Sequence, residues 1–309
     1  MSSSPHVTGM TVDEAYRLCR AIAHKHGANF SVGFRFLPKE KRLAVYAAYA
    51  FCRVADDIAD DGVDWQRVGL EGADSLLAEP TTENRRRGLD SWQAELDAAY
   101  AGTPAHPITV ALADALQHFN IPRSAFVELL DGCRQDMVKT RYETFEELLR
   151  YCELVASSIS DISLSIFGYR SPDAIDHGRS LATALQLTNV TRDIGDDLGR
   201  DRIYLPAEEL RRFGVEEEEL FARSENERML RLIEFQIERA QGYFREAEPL
   251  LQELDFDARF PTLLMGGVYA TVLAKLRKDP LVAIRRRLSL STMQKLLVVG
   301  TRVLRPRFV

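Results

Sequence analysis

Two short acidic texts in the sequence each close an apolar helical run. At 51–61 the chain reads FCRVADDIADD, so an almost wholly apolar segment, Leu43 to Phe51, ends in Asp56, Asp57, Asp60 and Asp61. Asp56 and Asp60 are i and i+4; on a helix they share one face, about 6 Å apart along the axis. Like charges at that spacing repel, and toward a helix C-terminal end the dipole disfavours them further. The arrangement recurs in ALQLTNVTRDIGDDLGRDRIYLP at 184–206. There Asp193 and Asp197 are again i and i+4, Asp196 lies beside them, and Asn189 sits one turn before Asp193. A solvated helix end accounts for one such pair. Two pairs, each closing an apolar helix, point to chemistry.

Oxygen ligands without His or Cys favour a hard cation such as Mg2+, which is usually held by a few carboxylates together with substrate phosphates. Two such faces across a cavity are expected to grip a diphosphate through a magnesium cluster. The metal neutralises the leaving group, so that a C–O bond can ionise to a carbocation. A calcium loop is not suggested, because its ligands alternate around a central Gly. Basic residues flank both texts: Arg53 lies one turn before Asp56 and Asp57, Arg192 adjoins Asp193, and Arg200 and Arg202 follow. Each could pair with the acids, bind diphosphate oxygens, or do both. Tyr49, one turn before Arg53, reads first as core and second as a cavity residue. The six His residues show no catalytic spacing, and His24 and His26 read as solvated.

The elements that must position these groups are helices. Thr11 with Glu14 fits a capping box before VDEAYRLCRAIAHKH. Pro38 opens the helix that ends in the first acidic text. Pro122, Thr144, Pro172 (running to about Gly199), Asn226 and Pro261 open others, and Gly168 stops one. This gives eight to ten helices and no credible sheet. The helices around 43–55 and 181–191 are apolar or small on nearly all sides, which predicts that they are core helices. The most loop-like stretches are 61–90 and 101–108; neither is long enough to demand a domain boundary. The 309 residues are 46% hydrophobic and 28% charged, which excludes a disordered chain. Cys19, Cys52, Cys133 and Cys152 form no CxxC pair, so free thiols in a reducing cytoplasm are expected. From Ala270 to Val309 ten Lys/Arg stand against one Asp, +9, leaving −15 for the rest of a chain whose total is −6. An acidic body argues against nucleic acid as a partner. No run approaches a membrane span, and residues 1–10 read as a short disordered lead without signal character.

The two acidic texts, with YAAYAFCRVADDIADD at 46–61 as the longer form of the first, resemble the squalene/phytoene synthase family of head-to-head prenyl transferases. FRFLPKEKR at 34–42, TFEELLRYC at 144–152 and RRLSLSTMQKL at 286–296 fit more weakly, and the likeness covers about residues 12–300. The resemblance implies an all-α, isoprenoid-synthase-like helical bundle around a central cavity, formed as one domain by residues 11–309. It implies Mg2+-dependent condensation of two allylic diphosphates through a cyclopropyl carbinyl diphosphate. By matched position, Asp56 with Asp60 and Asp193 with Asp197, assisted by Asn189, would bind the magnesium ions and serve catalysis. Arg53, Arg192 and Arg287 would contact diphosphate. Tyr49 and Tyr269 would lie on the cavity wall and orient the cation or leaving group.

Two departures bear on cavity shape and product. GANFSVGF at 27–34 puts Asn29 where a hydroxyl usually meets phosphate, and the amide can still donate. A Gly-rich AGxVG turn is replaced by Ala156-Ser157-Ser158-Ile159-Ser160, where small residues still allow a helix break. DIGDDLGRDRIYLP and RRRLSLSTMQKL are similar to the phytoene-forming branch, which implies two geranylgeranyl diphosphates and no reductant. Farnesyl diphosphate users that make squalene, dehydrosqualene or presqualene diphosphate are the alternative, with NADPH needed only for squalene. A non-catalytic assembly factor is a third reading, against which all four aspartates are present. A head-to-tail synthase or terpene cyclase shares the string DDIAD, but the second region does not match one. The basic tail could be a final core helix with a charged face, or could lie on an anionic membrane surface. The expected location is therefore cytoplasmic, with peripheral contact at the inner membrane face as the second possibility.

Overall fold

The structure is a computed structural model that describes residues 10–26, 31–68, 76, 77, 79–304, 307 and 308. The chain divides into two compact units, Met1–Val138 with Asp161–Gly168, and Lys139–Ser160 with Tyr169–Val309. Among the described residues there is no β-strand, only three isolated bridges. The all-helical expectation holds.

In the first unit α1 (Val12–His26) is followed by α2 (Ser31–Phe34), α3 (Lys39–Asp61), α4 (Thr82–Tyr100), α5 (Pro107–Ala115) and α6 (Arg123–Asp136). The capping box at α1 forms as its residues predict. Thr11 Oγ1 accepts from the Glu14 N–H at 3.3 Å, and Glu14 Oε2 accepts from the Thr11 N–H at 2.8 Å. Ala15, Cys19 and Ala23, spaced i, i+4 and i+8, form the fully buried stripe of α1, which packs on α3 and α5. α3 is buried on most sides from Ala44 to Ala59. It stops at Gly62, whose φ of 69° lets the chain turn in the left-handed region while its N–H caps Ile58 O. The loop expected over 61–90 ends sooner. Thr81 accepts from the Asn84 N–H and starts α4. The first two turns of α4 are polar, and its buried residues begin only at Leu89, followed by Trp92, Leu96 and Ala99, so its periodicity is hidden over 82–88. The second loop likewise ends at Pro107, where His106 caps α5.

The second unit contains α7 (Phe145–Cys152) and a π-helical stretch at Glu153–Ser157, which runs into α8 (Ser158–Phe167), a helix that belongs to the first unit from Asp161 onward. The second unit continues with α9 (Ala174–Arg192), α10 (Ile194–Leu198), α11 (Ala207–Phe213) and α12 (Glu217–Phe221). α13 (Glu227–Glu246), α14 (Leu250–Glu253), α15 (Phe256–Lys278), α16 (Val282–Arg285) and α17 (Thr292–Leu304) complete it. Two sequence expectations are corrected. The helix opened near Pro172 does not run on to Gly199; it ends at Arg192, and Asp193 forms a bend before α10. Pro261 does not open its helix, since α15 begins at Phe256 and carries Pro261 in its second turn. A proline there forfeits one backbone bond near the helix start, and the segment is buried from Pro261 through Leu264. α13 packs along α9, and α17 packs on α15. On α15 a side chain at Gly266 would lie 2.5 Å from the buried Phe308 ring, so this glycine is what admits Phe308. The tail thus ends in core contacts, although Met293 and Leu297 on α17 are exposed. All four cysteines are free and buried. Among the described residues no helix is long and apolar enough to cross a membrane.

Candidate active site

The first acidic text forms the last two turns of α3. Arg53 and Asp57, i and i+4, make an ion pair. Burial opposes the Arg53 charge, and the Asp57 hydrogen bond and charge more than offset it, so the guanidinium is held firmly protonated. Its Nε is buried without a hydrogen-bond partner. Asp56 is exposed by surface area, but the density of protein around it is that of an interior, and the latter governs the field its charge feels. Burial pushes its carboxyl up to about 7; Arg53 and a hydrogen bond from Cys133 lower it, while Asp60 and Asp57 raise it. The Cys133 thiol on α6 donates to Asp56 Oδ1 at 3.5 Å. Cys133 was not among the site residues the sequence singled out, because a lone cysteine 77 positions away carries no spacing signal. Tyr49 lies half-buried with its ring 6.4 Å from that of Phe34. Asn29 lies outside the described residues.

The second acidic text is built differently. α9 is buried almost all round, including Thr188 and Thr191, whose hydroxyls bond back to Ala184 O and Leu187 O. It ends on a buried arginine. Arg192 donates through Nε (2.7 Å) and Nη2 (2.5 Å) to the Asp193 carboxylate. Arg287, beyond the end of α16, reaches the same carboxylate from the other side, Nε to Oδ1 at 3.0 Å. Asp193 is therefore held by two guanidiniums that are 95 positions apart in sequence. Burial opposes the charge of Arg192, but the Asp193 hydrogen bond and charge raise its pKa overall. Tyr269 on α15 is buried and hydrogen-bonded to Asn189 and Arg192, and burial raises its phenol above the ordinary value. The Asn189 amide nitrogen donates to Gln186 at 3.3 Å, while its Oδ1 is buried with no partner. Asp197 keeps the expected offset despite the bend, since its N–H still bonds Asp193 O at 2.9 Å. It lines a small cavity with Arg202 and Tyr204.

Two framework features hold this second cluster. A side chain at Gly195 would lie 2.8 Å from Ile284 O, so only glycine lets α10 touch the backbone of α16. Tyr142, Tyr151 and Tyr204 form a three-ring stack with centroids 5.4 to 5.6 Å apart. These rings join Tyr204 of RIYLP to Tyr151 of TFEELLRYC. The departure at Ala156-Ser157-Ser158-Ile159-Ser160 begins in the π-helical stretch, at Ala156 and Ser157, and continues into the first turn of α8.

The donor set fits a hard divalent cation. Carboxylates and one amide oxygen are available, and a buried acceptor such as Asn189 Oδ1 without a donor is rare in folded proteins. Among the described residues no group of three or more His, Cys, Asp or Glu is placed to hold a metal ion.

An all-α fold in which apolar core helices end in two acidic turns, each flanked by arginines, defines a helical enzyme of the isoprenoid-synthase type. The chain belongs to the squalene/phytoene synthase family, a family of prenyltransferases: the family model described as squalene/phytoene synthase matches residues 23–294. It is 32% identical to a 15-cis-phytoene synthase of Synechococcus elongatus over 96% of this chain and 94% of that one. It is 34% identical to a phytoene synthase of Mycobacterium tuberculosis, over 92% and 89%. Among solved structures, a dehydrosqualene synthase in complex with ligand superposes with a TM-score of 0.82 at 27% identity, over 94% of this chain and 95% of that one. A squalene synthase from Alicyclobacillus acidocaldarius gives 0.76 at 29%, over 87% and 95%.

Proposed function

We propose that the protein condenses two geranylgeranyl diphosphates head to head to phytoene. The observation that carries a diphosphate-handling site is the pair of unsatisfied buried atoms, Arg53 Nε and Asn189 Oδ1, each on the helix that bears an acidic turn. An anion oxygen suits the first and a cation the second. The identity to phytoene synthases over nearly the whole chain supports the C40 product.

Asp56 and Asp60 on one helix end, and Asn189, Asp193 and Asp197 on the other, would hold Mg2+. When bound, Mg2+ neutralises the diphosphate and makes it a leaving group. Arg53 contacts diphosphate oxygens through its open Nε. Arg287, more than half exposed, contacts them while keeping one side of Asp193 fixed. Arg192 serves chiefly to hold Asp193, because its Nε and Nη2 are committed to that carboxylate and only 7% of its side chain is exposed. Tyr269, hydrogen-bonded to Asn189 and Arg192, would orient the departing diphosphate. One substrate loses diphosphate, and its C1 is attacked by the double bond of the other. Loss of a proton leaves the cyclopropyl carbinyl diphosphate, which loses the second diphosphate, rearranges, and loses another proton without a reductant.

The similarity to dehydrosqualene and squalene synthases supports a second reading, a C30 product from farnesyl diphosphate. Product analysis with Mg2+ separates them, each diphosphate being offered with and without NADPH. Phytoene from geranylgeranyl diphosphate alone is the expected result. A C30 product selects the second reading, and no turnover by folded protein leaves only a non-catalytic member.

A pH effect follows from Asp56. Its folded carboxyl titrates near 7 against 3.8 for the free group. Between those values the folded state holds a proton that the unfolded state has lost, so stability of the metal-free protein falls as pH rises through that window. Cation binding needs the ionised form. Mg2+ is expected to raise the melting temperature more at pH 8 than at pH 6, as differential scanning fluorimetry can measure; an equal rise at both removes Asp56 from the metal site.

A further inference from the structure

α12 ends with an arginine where a helix end favours glycine. Ser224 N–H bonds Glu219 O and Arg223 N–H bonds Leu220 O, both at 2.9 Å, the paired bonds of a Schellman stop. The residue in the left-handed position is Arg223, with φ 52°, one of two non-glycine residues at positive φ among those described. Gly62 and Gly214 occupy the equivalent position after α3 and α11. A side chain there is locally unfavourable, and local rules are broken mainly where something is gained elsewhere.

The gain lies at the tip of the side chain. Arg223 Nη2 donates to Gly195 O at 3.2 Å and Nη1 to Arg285 O at 3.2 Å. Gly195 follows Asp193 by two residues, and Arg285 precedes Arg287 by two. Between those carbonyls lies the close approach that only Gly195 permits, with α10 against the backbone of Ile284. The guanidinium, whose planar fork can serve two acceptors at once, therefore bridges the turn bearing Asp193 to the segment bearing Arg287.

We infer that Arg223 is a positioning residue that keeps Arg287 on the Asp193 turn and so sets affinity for diphosphate. This rests on the reading of Arg287 as a diphosphate contact. The test is calorimetric binding of inorganic pyrophosphate with Mg2+ to the full chain. Arg287→Ala is expected to weaken binding about tenfold, the loss of one charge-assisted contact. Arg223→Gly removes the bridge but relieves the backbone, so it is expected to weaken binding about three- to tenfold while leaving the melting temperature unchanged or higher. Arg223→Lys, which can serve only one carbonyl well, falls between. The double variant Arg223→Gly/Arg287→Ala should bind no more weakly than Arg287→Ala alone, because both act through one side chain. Unchanged binding by Arg223→Gly beside a weakened Arg287→Ala overturns the inference and leaves the site reading standing, and so does strict additivity in the double variant. Unchanged binding by Arg287→Ala overturns the site reading itself, and this inference with it.

Discussion

Asp56→Asn is expected to lower turnover by roughly three orders of magnitude, the scale on which losing one preorganised electrostatic partner of a reacting group is felt. It should do so without harming the fold. The substitution keeps size and the acceptor that Cys133 donates to, and it removes a carboxylate that burial, Asp60 and Asp57 all push toward the protonated form. The metal-free variant should therefore melt above wild type at pH 8, where the native carboxylate is ionised, with the difference shrinking at pH 5, where it is protonated. Steady-state kinetics and melting curves at the two pH values check this together. Turnover within tenfold of wild type would show that the first acidic turn is a helix end and not a metal site.

Asp193→Ala should fail in the opposite way. Arg192 is buried and spends its guanidinium on Asp193; deleting the carboxylate leaves a charge inside the protein with its main counter-ion gone. Breaking a buried pair from one side costs about 3–5 kcal/mol, and a denaturant midpoint series reads it directly. Arg287, being more than half exposed, can relax into water and adds little to that cost. The double change Asp193→Ala with Arg192→Met should recover much of the lost stability and none of the activity, since it removes the stranded charge but not the need for the carboxylate. A loss below about 1 kcal/mol in the single variant would mean that the pair behaves as a surface one.

Much of the fold was legible because its signals are local. Thr11 with Glu14, Thr144, Asn226 and Gly168 stop or start helices through atoms within a few residues, and those boundaries stand. Among the helices that were missed, α4 hides its apolar stripe behind polar first turns, and α5, α11 and α12 are short spans. Pro261 misled because buried surroundings keep α15 helical around a residue that locally argues for a start. The bend at Asp193 was not read from the sequence, although Gly195, two residues on, is a poor helix former; the side chains that grip Asp193 come from Arg192 and, far along the chain, from Arg287.

The sequence by itself determined that this is an all-helical member of the squalene/phytoene synthase family with two acidic turns at the ends of apolar helices. Composition, helix period and the spacing of aspartates are properties of neighbouring residues and survive being read in one dimension. Only the tertiary structure decided that the two turns are unlike. Asp56 is crowded by protein, other acids and a thiol, whereas Asp193 is neutralised from both sides by arginines. The protonation of a carboxylate depends on charge and burial within a few ångströms in space, and Cys133 and Arg287 reach those distances only once the elements that carry them have packed.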